Sequence, residues 1–312
     1  MSELMPFHCY EEFFENFSSK HTRLSYKNDI DQFIAYIKKN FPEVGDYEAI
    51  TRAHVIKFRN SLEEIGGMGG EPCAPKTISR KLASISSYFH FLVELGRATY
   101  NPATSVKRPR RDVKHPTNAL NRDQVRALFE SIDSETLSGS LHLALLVTFF
   151  TTGLRKSEVL NLRFRDYRDI NDYKVLEFVG KGGKIGQKLL HPSCVDALEH
   201  YLQKMKEADR AHAYEDWFFQ PTKNPANPTE LNKRLNPKTI NEILDHYALK
   251  IGLSFRICPH SARATFISEL LELGVDIYRV AREVNHSSVK TTQEYDKRRK
   301  KISESPVFKL NY

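Results

Sequence analysis

Residues 259 to 295 read PHSARATFISELLELGVDIYRVAREVNHSSVKTTQEY, and this stretch decides how the chain is understood. Its apolar residues predict two helices, Ser261 to Leu273 and Asp276 to Val284, with Gly274 at the turn between them. On that pattern alone the pair is compatible with a helix-turn-helix, a DNA-binding module without chemistry. Such a module needs no particular tyrosine. The same stretch carries His260 and Arg263 at the start of the first helix, then His286 and Tyr295 beyond the second. Singly, each has an ordinary explanation: a polar helix start, a cap, a half-buried tyrosine.

Upstream lie two further islands of the same kind. Leu141 to Thr151 is a mostly apolar helix whose C-terminal turn Gly153 can supply. It runs into Thr152-Gly153-Leu154-Arg155-Lys156-Ser157-Glu158-Val159, where Arg155 and Glu158 stand three apart at the start of a short helix, Arg155 to Leu160. On its own that pair is a surface contact worth a few tenths of a kcal/mol. Val175 to Val179 and Ile185 to Leu190 are strand-like and flank Gly180-Lys181-Gly182-Gly183-Lys184, a hairpin signal. A lone hairpin lysine is ordinarily solvated, and the glycines do not form a GxxxxGK[ST] phosphate loop. Ser193 to Lys206 and Pro237 to Ile251 complete the domain as helices, and Asn121 with Gln124 caps another over Arg122 to Ile132. The second domain is therefore mostly helical with one small antiparallel sheet.

The first third reads as four helices: Phe7 to Phe17, Thr22 to Lys39, Thr51 to Ile65, and Pro75 to Leu95. The last is the clearest, with Ile78, Leu82, Ile85, Phe89 and Leu92 at helical spacing and Pro75 in the first turn. Lys76, Thr77, Arg80 and Lys81 crowd its first turns, assigned to the side away from that stripe, as suits a helix entering a DNA groove. Asn101-Pro102 ends the bundle. The domains are expected at 1–106 and 118–312, joined by a basic, proline-rich linker at 107–117.

Charge is unevenly spread. The chain of 312 residues carries a net +8 and has a pI near 9.1, which fits a polyanionic partner. Residues 1 to 106 hold 12 basic against 13 acidic residues. The linker instead carries Lys107, Arg108, Arg110, Arg111 and Lys114 against Asp112 alone, and Lys297 to Lys301 is a second basic run. Cys9, Cys73, Cys194 and Cys258 are far apart, which argues against a disulfide framework and a zinc knuckle. There is no basic and apolar leader at the N-terminus, and the longest apolar stretch, Leu141 to Phe150, is too short to span a bilayer. The expectation is a soluble cytoplasmic protein without a membrane partner.

Taken together, the islands resemble the tyrosine recombinases, the family of Cre, the phage integrases and the bacterial Xer proteins. The resemblance covers nearly the whole chain in family order: bundle, basic linker, catalytic domain. The family's catalytic set of Arg, Lys, His-x-x-Arg, His or Trp, and Tyr falls on Arg155, Lys181, His260, Arg263, His286 and Tyr295, with Glu158 matching a supporting acidic residue. The Gly-Lys-Gly setting of Lys181 resembles the Xer-type hairpin. Two departures leave the subfamily open: many relatives have Leu-Gly-His where this chain has Val284-Asn285-His286, and Leu-Arg-His where it has Ala262-Arg263-Ala264.

The resemblance implies a mainly α fold, with a SAM-like four-helix core-binding domain and a catalytic domain of the DNA breaking-rejoining type. It implies a site-specific recombinase working through a 3′-phosphotyrosyl intermediate, in chromosome dimer resolution or in mobile-element integration and excision. Two guanidiniums suit bidentate phosphate binding, so Arg155 and Arg263 would form a clamp, with His286 as a third donor. The resemblance makes His260 the proton acceptor for Tyr295 and Lys181 the general acid for the leaving oxygen. No cofactor, metal or ATP is expected. The expected partners are duplex DNA with an inverted-repeat core site and further copies forming a tetramer on paired sites, with or without a related recombinase. The apolar tail Val307 to Tyr312 is expected to dock on a neighbouring protomer. A type IB topoisomerase shares this chemistry, and a non-catalytic DNA-binding regulator is the rival of a different class.

Overall fold

The computed structural model describes residues 7–67, 70–109, 117–224, 226–227 and 229–296. The chain divides into two compact units, 1–113 and 114–312. Arg110, Arg111, the run 297–301 and the tail lie outside the described residues, as does the side chain of Lys181.

The first unit is built from α1 (Glu11–Glu15), α2 (Lys20–Asn40), α3 (Arg52–Ile65) and α4 (Pro75–Glu94). Ser19 caps α2 by accepting from the Thr22 amide at 3.3 Å, so that helix begins two residues before the apolar pattern does. α3 stops at Gly66, whose φ of 68° is left-handed. A Cβ there would also sit 2.5 Å from the Glu71 carbonyl oxygen, so glycine is required twice over. The apolar stripe of α4 is buried throughout, against Phe33 and Ile37 of α2 and Phe58 and Leu62 of α3. Phe33 and Phe58 meet edge-on with centroids 5.1 Å apart, the arrangement aromatic quadrupoles favour. The core continues to Ala103 and Val106, and Asn101 Nδ2 donates to the Ser86 carbonyl at 2.8 Å to hold that segment on α4.

Part of the basic face assigned to α4 is tied to α2. Asp29 of α2 is 1% exposed. It accepts from both Arg80 terminal nitrogens, from Lys81 Nζ at 3.2 Å and from Ser84 Oγ at 2.8 Å. Lys81 also donates to Gln32. A buried carboxylate needs such compensation, so Arg80 and Lys81 both reach onto α2, Lys81 largely buried there while Arg80 stays 43% exposed. Lys76 remains exposed and Thr77 half-buried.

The second unit begins with α5 (Arg122–Glu130) and α6 (Leu137–Thr152). Asn121 and Gln124 form the expected reciprocal cap on α5, at 2.8 and 3.0 Å. α6 is apolar on all sides and is the central helix, packed against α8 (Pro192–Glu207) and α10 (Pro259–Glu272). Between them come α7 (Lys156–Leu160) and an antiparallel sheet of β1 (Tyr167–Ile170), β2 (Tyr173–Val179) and β3 (Ile185–Leu189) in the order β1-β2-β3. The register pairs Tyr167 with Leu176, Leu176 with Lys188, and Val179 with Ile185. β1 was not expected. It joins β2 through Asn171 and Asp172, both at positive φ (46° and 67°), the backbone of a tight primed turn. The domain closes with α9 (Pro237–Lys250), α11 (Ile277–Glu283) and α12 (Val289–Gln293). No helix among the described residues is long and apolar enough to cross a membrane.

Candidate active site

The site forms where α6, α7, α10 and the end of α11 converge. Gly153 ends α6 at φ 62°, where a Cβ would lie 2.5 Å from the Phe266 ring of α10. This close approach delivers Arg155 to the N-cap of α7. Glu158, 4% exposed, accepts from the Arg155 amide at 2.7 Å and from its guanidinium at 2.8 Å. The pair that reads as a surface contact is a half-buried one, fixed at both ends.

Arg263, also 4% exposed, points from α10 into the same space. Its two terminal nitrogens donate to the carbonyls of Gly153 and Val284. Burial, and then the neighbouring charge of Arg155, pull its pKa down to about 10, which leaves it cationic at neutral pH. Arg155 reaches the next carbonyl, that of Asn285, at 3.4 Å. The two guanidiniums thus meet on consecutive peptides.

Those peptides end α11 in a defined way. The Asn285 amide donates to Arg282 and the His286 amide to Ala281, at 3.0 and 2.9 Å, with Asn285 at φ 51°. This is a Schellman cap, whose left-handed position takes glycine or asparagine. It explains why asparagine can stand where many tyrosine recombinases have glycine. Asn285→Gly is expected to leave stability within about 1 kcal/mol, whereas Asn285→Val should cost about 1–2 kcal/mol through strain at positive φ. Denaturant melts decide this: equal loss in both variants would mean that the asparagine side chain, not its backbone, holds the turn.

His286 follows the cap. Its Nδ1 lies 2.9 Å from Thr292 Oγ1 of α12, a buried hydroxyl, and its ring stacks on Tyr295 with centroids 6.2 Å apart. Burial, and then the charges of Arg263 and Arg155, hold its pKa down to about 4, so the imidazole is neutral at physiological pH. Tyr295 is half-buried against Ile267, Leu271, Val280 and Val284. Burial raises its phenol pKa, and the Arg263 charge only partly opposes this, so the resting hydroxyl keeps its proton.

Arg155, Glu158, Arg263, His286 and Tyr295 are therefore brought together. His260 is exposed one turn before Arg263 on α10. Lys181 opens a 3-10 turn, Lys181–Gly183, at the tip of the β2–β3 hairpin. The root of that hairpin is beside the site, since a Cβ on Gly180 would lie 3.8 Å from Glu158 Oε1. Lys107 and Arg108 are exposed, and Arg59 donates to the Lys107 carbonyl at 3.1 Å. Two residues of the site escaped the sequence reading. Thr292 lies in a five-residue helix too short to show a period. Lys188 of β3 is 3% exposed and donates to Glu283.

Two family descriptions match. Residues 118–301 match the phage integrase family, and residues 10–96 match the phage integrase N-terminal SAM-like domain. The fold and site define a site-specific recombinase of the tyrosine class. The chain belongs to the phage integrase family. It is 30% identical to the tyrosine recombinase XerC of Pelobacter propionicus, over 95% of this chain and 90% of that protein. It is 26% identical to the tyrosine recombinase XerD of Listeria monocytogenes, over 89% and 88%. Among solved structures its fold is similar to that of XerH in a post-cleavage complex with difH DNA, with a TM-score of 0.72, 18% identity and coverage of 93% and 80%. It is also similar to a lambda integrase dimer on a COC′ core site, with a TM-score of 0.66, 18% identity and 94% coverage of both chains.

Proposed function

We propose that this recombinase cuts and rejoins DNA by transesterification at Tyr295. The phenol oxygen attacks the scissile phosphorus, and the bond to the 5′ oxygen breaks. A 3′-phosphotyrosyl ester and a 5′-hydroxyl result. The ester conserves the phosphodiester energy, so a 5′-hydroxyl from another strand can reverse the step without ATP or a metal. Arg155 and Arg263 clamp the nonbridging oxygens and His286 adds a neutral donor. His260 takes the phenol proton and Lys181 protonates the leaving oxygen, each worth roughly 10²- to 10⁴-fold. One observation carries this reading: two guanidiniums converge on the peptides of Val284 and Asn285, next to His286 and Tyr295.

The domain reading, 1–106 and 118–312 with the linker 107–117, supports a grip on DNA from both domains. The partner is duplex DNA with an inverted-repeat core site, bound by four protomers on paired sites, alone or with a related recombinase. The biological setting is chromosome dimer resolution or mobile-element movement. A random duplex library, selected with Tyr295→Phe protein, would recover the site. A nicked duplex carrying that site would then trap the covalent adduct. Binding without any adduct from the wild-type protein would reduce the chain to a DNA-binding regulator, and relaxation without strand exchange would make it a topoisomerase.

Affinity for that DNA is expected to fall about 10³- to 10⁵-fold between roughly 50 and 200 mM salt, as for six to ten phosphate contacts. Neutralising Lys107, Arg108, Arg110 and Arg111 should weaken all sequences alike and flatten the salt slope by about one per lost contact. A gel-shift series that is flat in salt would remove the electrostatic grip from this account.

A further inference from the structure

Lys188 is a buried cation that the proposed chemistry does not use. It stands on β3, opposite Leu176, with its side chain 4% exposed. Its ammonium donates to the Glu283 carbonyl and lies 2.6 Å from the Glu283 carboxylate. Burial lowers its pKa, and the charges of Arg263 and Glu158 both act on it, so it belongs electrically to the same site.

Glu283 is the last residue of α11, where carbonyls have no partner within the helix. The next two carbonyls, of Val284 and Asn285, are those bound by Arg263 and Arg155. Three cations from three separate elements therefore hold three successive carbonyls at one helix end. Positive charge is favoured there by the helix dipole. The turn they hold leads directly into His286 and the segment carrying Tyr295.

We propose that Lys188 is a positioning residue, fixing the Glu283–His286 turn to β3 so that His286 and Tyr295 keep their place when the two arginines take up the phosphate. Arg155 and Arg263 have that second task, and Lys188 has only the first. The proposal rests on the assignment of Arg155, Arg263, His286 and Tyr295 to strand cleavage.

The test uses the full-length protein and the nicked duplex carrying the selected site, under single-turnover conditions at saturating enzyme. Lys188→Met is expected to slow adduct formation by about 10²-fold, as for a misplacement of about 1 Å, with DNA affinity unchanged. Lys188→Arg should recover part of the rate because it can still reach the carbonyl. Glu283→Gln, which keeps the main-chain carbonyl, should stay close to the wild-type rate. A duplex with sulfur at the 5′-bridging position needs no proton on its leaving group, and it should not restore the Lys188→Met rate. Restoration by sulfur would overturn the proposal, since Lys188 would then be serving proton transfer. A wild-type rate in folded Lys188→Met would overturn it as well. Should that variant fail to fold, Lys188→Gln, too short to reach the carbonyl, gives the same reading. If the wild-type protein itself forms no adduct at Tyr295, the catalytic assignment fails and the role of Lys188 with it, whereas a normal wild-type adduct with an unslowed Lys188→Met variant overturns the role of Lys188 alone.

Discussion

Tyr295→Phe is expected to bind the selected site as tightly as the wild-type protein and to leave no covalent protein–DNA adduct, a loss of at least about 10⁴-fold in cleavage. The substitution removes one oxygen and keeps the ring. The ring does the packing, against His286 and the cluster of Ile267, Leu271, Val280 and Val284, so melting should shift little. On the proposed mechanism the oxygen is the reacting atom, and two other tyrosines of the described residues are placed differently. Tyr247 is buried, with its hydroxyl 3.1 Å from His142 Nδ1, and Tyr278 is two-thirds exposed on α11. The raised phenol pKa of Tyr295 adds a second expectation. On the proposed mechanism the free enzyme holds this phenol protonated, so deprotonation is expected only once DNA is bound. Denaturing gels followed by peptide mapping read the result. An adduct in the variant, or one on Tyr247 or Tyr278, ends the assignment of Tyr295 as nucleophile.

Much of this arrangement was legible in the sequence because long elements declare themselves. The stripe of α4, the mostly apolar α6 and the cap on α5 follow from period, length and residue type. The site residues were legible as types in order, not as geometry. What stayed hidden depends on neighbours distant in sequence. Arg80 and Lys81 read as a free basic face because their acceptor, Asp29, lies about fifty residues away. Lys188 was unreadable for a related reason. On β3 the apolar residues Ile185 and Leu189 are exposed while the lysine is buried, an inversion of the usual alternation that the Glu283 carbonyl and carboxylate at the end of α11 make tolerable. β1 is too short and exposed for a periodic signal, although Asn171-Asp172 carried the turn chemistry that could have located it.

Substitution of Arg263 should separate what its guanidinium does for the fold from what it does for the phosphate. Arg263→Lys keeps a charge but loses the planar fork that spans the Gly153 and Val284 carbonyls. Cleavage should fall by about 10²- to 10³-fold, the usual cost of losing one donor to a developing oxyanion, while the domain still folds. Arg263→Ala goes further, because it leaves two carbonyls without their donor in a buried place. At about 1–3 kcal/mol for each unsatisfied group, a loss of several kcal/mol in the denaturant melt is expected alongside the lost activity. Arg155 provides the control. Its side chain is one-third exposed, and its contact with the Asn285 carbonyl is long, at 3.4 Å. Arg155→Lys keeps a cation beside the buried Glu158 carboxylate, so it should lower cleavage by a similar factor and cost much less stability. The comparison pairs single-turnover cleavage with unfolding for all three variants. A wild-type rate in Arg263→Lys would refute the bidentate clamp. Equal destabilisation by Arg263→Ala and Arg155→Lys would show that the buried bridge from α10 to the end of α11 is not what holds the site together.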